Sequence, residues 1–220
     1  YPGEEFSVGQ TIGPLTAAGG YELAGAYENG QTVQSYGGGV CQVPTTLYNA
    51  VLKAELEVTQ RSNHSMIVTY VKPSMDAAIA GDYKDLVFEN DTDAPIYVSK
   101  VFIIQAVQLL SIFMDMTQEK AGHSVKYESK TVKTTPVKTQ TKKDSSKPVG
   151  YSEVESSGHV GYVAELWKIT YEDGKQVSKE LIHTSTYAMS PTIVVKGTKK
   201  ASTTTKKDDS DKDHKKSSEE

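Results

Sequence analysis

Several features are scarce in this sequence of 220 residues, and each scarcity excludes a class of protein. Cys41 is the only cysteine, which excludes an internal disulfide framework and a zinc site built from several cysteines. No apolar run reaches the roughly 18 residues that a membrane-spanning helix needs, and the longest, residues 101–116, is interrupted by polar side chains. Apolar residues make up 37% of the chain, which is low for a packed domain, so we expect part of the chain to be unpacked.

Arginine is also scarce, because Arg61 is the only arginine among 24 basic residues. The formal net charge of −4 argues against a nucleic-acid-binding protein. The charge is unevenly distributed: residues 1–90 carry four basic and ten acidic residues, whereas residues 124–149 carry seven lysines and two acidic residues. The sequence therefore predicts an acidic N-terminal part followed by a basic linker.

The first part of the chain, residues 1–99, is predicted to be an α+β domain with one main helix against an antiparallel sheet. Apolar residues recur with helical spacing after Cys41, and Pro44 is tolerated only in the first turn of a helix because it lacks an N–H donor. The helix must therefore begin close to Cys41. Residues rich in β-branched and aromatic side chains predict a hairpin at 21–33 and strands at 64–71, 82–90 and 95–99.

The remainder of the chain is predicted to be ordered only in part. Residues 124–149 are rich in Lys, Thr and Ser and have no hydrophobic period, which predicts a flexible linker. Residues 150–198 alternate between apolar and polar side chains around a hairpin turn, which predicts a small all-β domain without a helix. Residues 199–220 are dominated by charged, Ser and Thr residues, which predicts a disordered tail.

Cys41 is the candidate nucleophile, because it follows the glycines Gly37, Gly38 and Gly39 and stands at the predicted start of a helix. The helix dipole and the free amides of the first turn lower the pKa of a thiol and can bind an oxyanion. Glycines let the backbone or a substrate approach closely. The three glycines and Gln42 are therefore candidate substrate-binding residues. The alternative is that Cys41 is a small buried apolar residue.

His64 and Asp76 are candidate partners of the cysteine, because they lie just before and just after the predicted strand at 64–71. A cysteine at a helix start, then a histidine, then a polar residue that orients it is the chain order of papain-like thiol hydrolases and acyl transferases. The alternatives are that His64 makes a hydrogen bond within the fold and that Asp76 is a turn carboxylate.

Arg61 is a further candidate substrate-binding residue, because a guanidinium group binds a carboxylate through two hydrogen bonds. Peptide stems of the cell wall carry such carboxylates, and the alternative is an ordinary salt bridge. The five histidines are scattered without metal-ligand spacing, and no Gly-Lys-Ser/Thr follows the glycines, so we expect no metal, no phosphate loop and no cofactor.

Residues 1–99 resemble the VanW family, most closely at GGGVCQVPTTLYNAVLKAELEVTQRSNHSMIVTYVKPSMDAAI, and also at PGEEFSVGQTIGPLTAAGGYELA and DLVFENDTDAPIYV. The family takes its name from vancomycin-resistance gene clusters, and the resemblance implies an accessory protein of the Gram-positive cell envelope. Relatives often carry an N-terminal membrane anchor. Because the chain begins at Tyr1 without a methionine or signal peptide, we expect an upstream anchor to be missing and the location to be extracytoplasmic, in the wall or at the membrane surface.

Residues 150–198 resemble the G-five domain, a small all-β module, at Gly161, Gly174, Gly197 and the stretch from Tyr187 to the final Gly-Thr. The resemblance implies binding of glycans that contain N-acetylglucosamine, with peptidoglycan or another wall polysaccharide as partner. Aromatic side chains stack on sugars, and the candidates are Tyr162, Trp167, Tyr171 and Tyr187.

The family pattern predicts two strands around a glycine turn after residue 99. Residues 100–123 depart from that pattern. The segment 99–120 contains no glycine. One choice of synonymous codons, read two bases later, gives a hairpin sequence of the expected kind. We interpret this as a pair of compensating frameshifts near residues 100 and 119, and the alternative is a genuine but divergent helix or strand.

These observations give three hypotheses of function. The first is an extracytoplasmic, peptidoglycan-associated accessory protein of the vancomycin-resistance type with a glycan-binding module. The second is a Cys-His thiol hydrolase, amidase or acyl transferase that acts on wall peptide. The third is a non-catalytic adhesin or scaffold. A hydrogen bond between Cys41 and His64 in an open groove favours the second.

Overall fold

The computed structural model describes residues 1–28, 31–103, 106–113 and 121–200. The chain is rich in β-structure and has few helices, and it divides into an N-terminal unit, residues 1–113, and a C-terminal unit, residues 121–200. The turn predicted at 29–30 and nearly all of the predicted tail, residues 201–220, lie outside the described residues.

The N-terminal unit contains two helices and seven strands within its described residues. Its elements are β1 (Glu5–Ser7), α1 (Val8–Ile12), β2 (Leu23–Glu28), β3 (Gln31–Tyr36), α2 (Gln42–Lys53), β4 (Glu57–Gln60), β5 (Val87–Glu89), β6 (Tyr97–Ile103) and β7 (Ala106–Phe113). Strands β2 and β3 form an antiparallel hairpin, as do β6 and β7. The three short strands β1, β5 and β4 form an antiparallel sheet in that order.

Helix α2 begins one residue after Cys41, as the position of Pro44 requires, and buries one face against the short sheet. Its residues Leu47, Val51 and Leu52 are spaced so that they share that face, and each is buried. They pack against Phe88 of β5. Burying side chains of this size contributes roughly 1.5–3 kcal/mol each, so this contact fixes α2, and the cysteine before it, on the sheet.

The predicted strand at 64–71 is wrong. Residues 61–79 form an irregular segment that contains no strand. Met66 and Val68 are buried, so the apolar residues that suggested a strand fill the interior without joining a ladder. β-propensity depends strongly on tertiary context, and here the packing of the side chains determines the conformation of the segment.

The C-terminal unit consists of two three-stranded sheets, and residues 121–200 contain no helix. Its strands are β8 (His123–Thr135), β9 (Thr139–Pro148), β10 (Ser152–Ser156), β11 (Gly161–Glu172), β12 (Lys175–Tyr187) and β13 (Thr192–Lys199). The first sheet has the order β12-β11-β8 and is antiparallel throughout. The second has the order β10-β13-β9, in which β9 and β13 are parallel.

The flexible linker predicted at residues 124–149 is also wrong, because β8 and β9 occupy almost all of it. In β8, the half-buried residues Val125, Tyr127 and Ser129 alternate with exposed residues, so one face packs and the other is solvated. Almost every residue of β9 is exposed. That strand is ordered by its main-chain ladder with β13 rather than by apolar burial, which is why its composition resembles that of a linker.

One hydrophobic core joins the two units, which corrects the expectation of two bodies separated by a linker. Leu166 of β11 is 0% exposed and belongs to the same buried cluster as Leu47 and Val51 of α2. Tyr127 of β8 packs against this cluster. A second contact joins the units at the surface, where Glu55 accepts ion pairs from His123 and Lys168.

Residues 97–103 and 106–113 form the backbone of a hairpin, within the segment for which we predicted frameshifts. Residues 104–105 and 114–120 lie outside the described part of the chain. The reading frame of this segment therefore stays a prediction.

Candidate active site

The turn before α2 requires its glycines. Gly37 and Gly39 have φ values of 72° and 83°, in the left-handed region that favours glycine. At Gly38, a Cβ atom would lie 2.2 Å from the carbonyl oxygen of Ala24 in β2. The three glycines therefore let the chain turn tightly against the β2–β3 hairpin and deliver Cys41 to the start of the helix.

Cys41 is the N-cap residue of α2 and is partly exposed. Its thiol donates to the carbonyl oxygen of Ile79 at 3.5 Å. The amides of Gln42 and Val43 donate to carbonyl oxygens within the preceding turn. These two amides are therefore not free to bind an oxyanion, which corrects the expectation for the first helical residues.

His64 links Cys41 to Asp76. The histidine is 9% exposed, and its Nδ1 donates to Oδ2 of Asp76 at 2.6 Å. His64 also lies close enough to Cys41 to lower the pKa of its thiol, and Nε2 is the ring nitrogen that Asp76 does not engage. The hydroxyl of Tyr70 lies 3.4 Å from this Nε2. The structure thus joins His64 and Asp76 by a hydrogen bond and places Cys41 within electrostatic reach of His64.

The electrostatics around Cys41, His64 and Asp76 favour a thiolate on Cys41 and an imidazolium on His64. Burial alone raises the pKa of the Cys41 thiol, but the contacts with His64 and the Ile79 carbonyl and the charges of His64 and Lys84 together outweigh burial, so the pKa is lowered. Burial alone lowers the pKa of His64, but Asp76 and Cys41 raise that pKa to about 9. His64 is therefore protonated at neutral pH, and its positive charge favours the thiolate form of Cys41.

Asp76 is 0% exposed, and its carboxylate is fully occupied by donors from both units. Oδ2 also accepts from the amide of His64 at 2.8 Å. Oδ1 accepts from Nη2 of Arg61 at 2.9 Å and from the hydroxyl of Tyr187. Although burial raises the pKa of a carboxyl group, these donors hold the pKa of Asp76 below its usual value, so the carboxylate that orients His64 stays charged.

Arg61 contacts the protein rather than open solvent, which corrects the expectation that it binds a substrate carboxylate. Its side chain is 7% exposed and forms the ion pair with Asp76. Its Nε donates to the backbone oxygen of Asp76 at 2.7 Å, and its Nη1 donates to Ser185 of β12 at 2.8 Å. The alternative interpretation of Arg61, an ordinary salt bridge, is therefore the one that the structure shows.

The four candidate sugar platforms differ in accessibility. Tyr187 is 2% exposed and hydrogen-bonds Asp76, so it is not available to a glycan. Tyr162, Trp167 and Tyr171 of β11 are half-buried. The indole of Trp167 donates to Glu165 at 2.9 Å, and the amino group of Lys179 lies 5.4 Å from its ring centroid. Trp167, Tyr162 and Tyr171 remain candidates on the central strand of this sheet.

The sequence analysis missed one residue of the site, Tyr70, and assigned another, Tyr187, to a sugar platform instead. Tyr70 belongs to the segment that was interpreted as a strand, and only its proximity to His64 shows its place in the site. Tyr187 lies 111 residues from Asp76 along the chain, and no local pattern connects positions so far apart. Its signal in the sequence is only that of a tyrosine in an alternating strand.

An open groove of about 1140 Å³ runs beside the site without including the three residues. It is lined by residues of the α1 end, of β4 and of the 79–87 segment. Ile79 connects the two places, because its carbonyl oxygen accepts a hydrogen bond from the Cys41 thiol and the residue also lines the groove.

No cluster of three metal-ligating side chains occurs within the described residues. Among those same residues, none of the helices is both long enough and apolar enough to cross a bilayer.

Comparison with known proteins divides the chain into two matched regions. Residues 1–109 match the family model described as VanW like protein, and residues 126–199 match the one described as G5 domain. These matches confirm the resemblance seen in the sequence. The second match begins at residue 126 rather than 150, consistent with the inclusion of β8 and β9 in the C-terminal unit.

Two curated relatives match the N-terminal region. The uncharacterized protein YoaR of Bacillus subtilis is 39% identical over 98 residues, which are 44% of this chain and 32% of that protein. The vancomycin B-type resistance protein VanW of Enterococcus faecalis is 31% identical over 98 residues, covering 42% of this chain and 35% of that protein. The chain thus spans about a third of the length of these relatives.

A solved structure titled "IgA1 Protease G5 domain structure" matches the C-terminal region. It is 28% identical and covers 38% of this chain and 98% of that chain, with a TM-score of 0.27.

Proposed function

Because the chain joins a VanW-like domain to a G5 domain, we propose that it is a cell-wall-associated thiol enzyme that hydrolyses or transfers acyl groups of wall peptide. The two domains together indicate association with the cell wall. The observations that support catalysis are the 2.6 Å hydrogen bond between His64 and Asp76 and the lowering of the Cys41 pKa by His64. In this proposal Cys41 is the nucleophile, His64 the acid and base, and Asp76 the residue that orients the imidazole.

The proposed reaction proceeds in two steps. The Cys41 thiolate attacks the carbonyl carbon of a peptide bond and forms the C–S bond. As the C–N bond breaks, the His64 imidazolium gives its proton to the leaving nitrogen, which leaves a thioester on the enzyme. An acceptor amine or water then attacks the thioester, His64 takes the proton of the attacking group, and the thiolate leaves. An amine acceptor makes the enzyme a transferase, and water makes it a hydrolase.

Three features of the site support this chemistry. Cys41 is a partly exposed residue, as the approach of a substrate carbonyl to its sulfur requires. The proton needed by the leaving group is present at neutral pH because the pKa of His64 is raised to about 9. The donors around Asp76 keep it ionised, so Nδ1 of His64 stays bound to the carboxylate and the ring keeps its orientation.

The test is incubation of the purified protein with muropeptides, followed by mass spectrometry. We expect cleaved or exchanged peptide products, and an acyl adduct on Cys41 in trapped samples. Cys41→Ala should abolish both, and His64→Ala should reduce the rate by roughly 100-fold or more. His159→Ala, which changes a histidine outside the site, is the matched control. Muropeptides that stay unchanged with an adduct-free Cys41 would refute the enzyme and favour an accessory, adhesin or scaffold role.

For the G5 domain we propose binding of wall glycan that contains N-acetylglucosamine, at an extracytoplasmic location. The family match to residues 126–199 supports a glycan partner, and Trp167 with Tyr162 and Tyr171 supplies aromatic surface. Cosedimentation with purified peptidoglycan should decrease for Trp167→Ala and stay unchanged for Val177→Ala, which alters a residue that is 58% exposed on the neighbouring strand. Equal sedimentation of both variants would place the glycan contact elsewhere.

A further inference from the structure

The end of β12 contacts both segments that carry the partners of Cys41. On the Asp76 side, the hydroxyl of Tyr187 donates to Oδ1 of Asp76 and accepts from the amide of Ser74 at 2.6 Å. Ser185 accepts from the hydroxyl of Ser74 at 2.9 Å and from Arg61, which itself binds Asp76. Two residues of the G5 domain therefore determine the surroundings of a carboxylate in the VanW-like domain.

The His64 segment is held by the same strand end. On one side of His64, Nδ2 of Asn63 donates to the carbonyl oxygen of Thr186 at 2.9 Å. On the other side, the amide of Ala188 donates to the carbonyl oxygen of Ser65 at 2.7 Å. Because the side chain of Asn63 and the backbone of Ser65 are both held by this strand end, the segment that carries His64 is fixed on either side of the imidazole.

The other two strands of the same sheet hold the approach to Asp76. The hydroxyl of Ser129 in β8 donates to the carbonyl oxygen of Pro73. The hydroxyl of Ser74 lies 3.2 Å from the carbonyl oxygen of Ala164 in β11. Ser74 has a φ of 68°, a left-handed conformation that is uncommon for a non-glycine residue and persists only where the surroundings enforce it. The G5 sheet supplies those surroundings.

The hydroxyl of Tyr187 is the central group in this arrangement. It is buried, and it satisfies one donor, the Ser74 amide, and one acceptor, Asp76, at the same time. Removing it leaves both groups short of a partner in a place that water does not reach. A buried group without a partner is costly, so the 73–76 segment would move to recover one.

We propose that Tyr187 is a positioning residue for the Cys41 site, and that the G5 domain, through β12, completes a site whose reacting groups all lie in the VanW-like domain. This inference rests on the proposed function, in which Asp76 orients His64. It gives the G5 domain a role beyond glycan binding. A purely structural tyrosine would affect stability but would leave the titration of the Cys41–His64 pair unchanged.

The experiment is the pH profile of Cys41 alkylation by iodoacetamide, measured on the intact chain and on Tyr187→Phe. We expect the midpoint at which the thiolate appears to rise by about half a pH unit or more, because His64 is held less firmly. At a pH well below the midpoint this corresponds to a roughly threefold or larger loss of rate. The matched control is Tyr151→Phe, which removes another hydroxyl of the C-terminal unit that donates to a carboxylate, that of exposed Glu153. Its profile should coincide with that of the unaltered chain.

A second variant covers the case in which Tyr187→Phe fails to fold, as judged by circular dichroism. Ser185→Ala keeps Tyr187 but removes the acceptor for Arg61 and Ser74, and it should shift the midpoint in the same direction. A folded Tyr187→Phe with an unshifted profile overturns the inference, and so does an unshifted Ser185→Ala if Tyr187→Phe does not fold.

His64→Ala separates this inference from the proposed function. If the unaltered chain has a low midpoint that His64→Ala raises but the β12 variants do not, the inference alone is wrong. If the unaltered chain titrates as an ordinary thiol and His64→Ala changes nothing, the proposed enzyme is wrong, and the inference fails with it.

Discussion

Nδ1 of His64 lies 2.6 Å from Oδ2 of Asp76, and this contact leaves Nε2 as the imidazole nitrogen that the carboxylate does not engage. Because the carboxylate also accepts from the amide of His64, the histidine is fixed at both its backbone and its ring. The orientation of the imidazole is therefore a property of the folded chain that does not wait for a substrate.

The first prediction concerns the reactivity of Cys41. At about pH 7 the native thiol should react with iodoacetamide faster than a free thiol with a pKa of about 8.5, because His64 stabilises the thiolate. His64→Ala should slow the reaction, and His159→Ala should not. Alkylation can be followed by intact-mass spectrometry. If the native protein resists while the urea-unfolded protein reacts, Cys41 is a core residue and the enzyme proposal fails.

The second prediction concerns stability in acid. The pKa of Asp76 is lower in the folded state, so its contribution is complete above its unfolded pKa of about 3.9 and is lost as the pH falls through the folded value. Asp76→Asn should lower the free energy of unfolding near neutral pH by about 3–5 kcal/mol, since it leaves Arg61 and His64 without their anion. Urea unfolding should show this difference shrinking towards about pH 2. A difference that is independent of pH would contradict the ionised pair.

The third prediction concerns the core that the two units share. Leu166→Ala should lower the free energy of unfolding by about 2–5 kcal/mol, because Leu166 is fully buried. Fluorescence of Trp167 and circular dichroism of helix α2 should report one coincident transition. Val177→Ala, at an exposed site, is the control. Two separate transitions, with only the fluorescence affected, would show that the units unfold independently.

The fourth prediction concerns the turn before the helix. Gly38→Ala should destabilise the protein and slow alkylation of Cys41, because the new Cβ would overlap the carbonyl of Ala24 and displace the turn. Gly25→Ala is the matched control in β2, where a Cβ would lie at an ordinary 3.7 Å from its nearest neighbour. Equal alkylation rates for both variants would mean that the turn does not determine the position of the thiol.

The fifth prediction concerns the DNA that encodes residues 100–120. Nucleotide alignment with close relatives should reveal one insertion or deletion near each end of the segment. The hairpin backbone observed for its described residues is compatible with the segment in either reading. An uninterrupted frame shared by independent isolates would refute the frameshifts.

The sequence was most informative where the rule involved is local. Pro44 restricts the helix start to a few positions, and the observed start of α2 lies among them. The chain order of Cys41, His64 and Asp76 also selected two residues, His64 and Asp76, that the structure joins by a hydrogen bond. The segment between them was wrongly interpreted as a strand, and the catalytic roles of the three residues stay a prediction.

The sequence was least informative where order comes from distant partners. Strand β9 has almost no apolar face, so composition alone cannot distinguish it from a linker, and only its ladder with β13 defines it. The partners of Arg61 could not be predicted from the sequence either, because the packing of the two domains brings Asp76 and Ser185 to the guanidinium group. Long-range contacts of this kind leave no period in a single sequence.

The contacts of Tyr187 also have an evolutionary consequence. A substitution at position 185 or 187 changes the environment of Asp76, although the two segments lie in different domains. Selection on the proposed chemistry therefore acts across the domain boundary, and positions 74 and 76 should covary with 185 and 187 wherever the two domains occur together. A VanW-like domain that occurs without a G5 domain needs other residues to satisfy its carboxylate, so the two domains cannot be recombined freely with foreign partners.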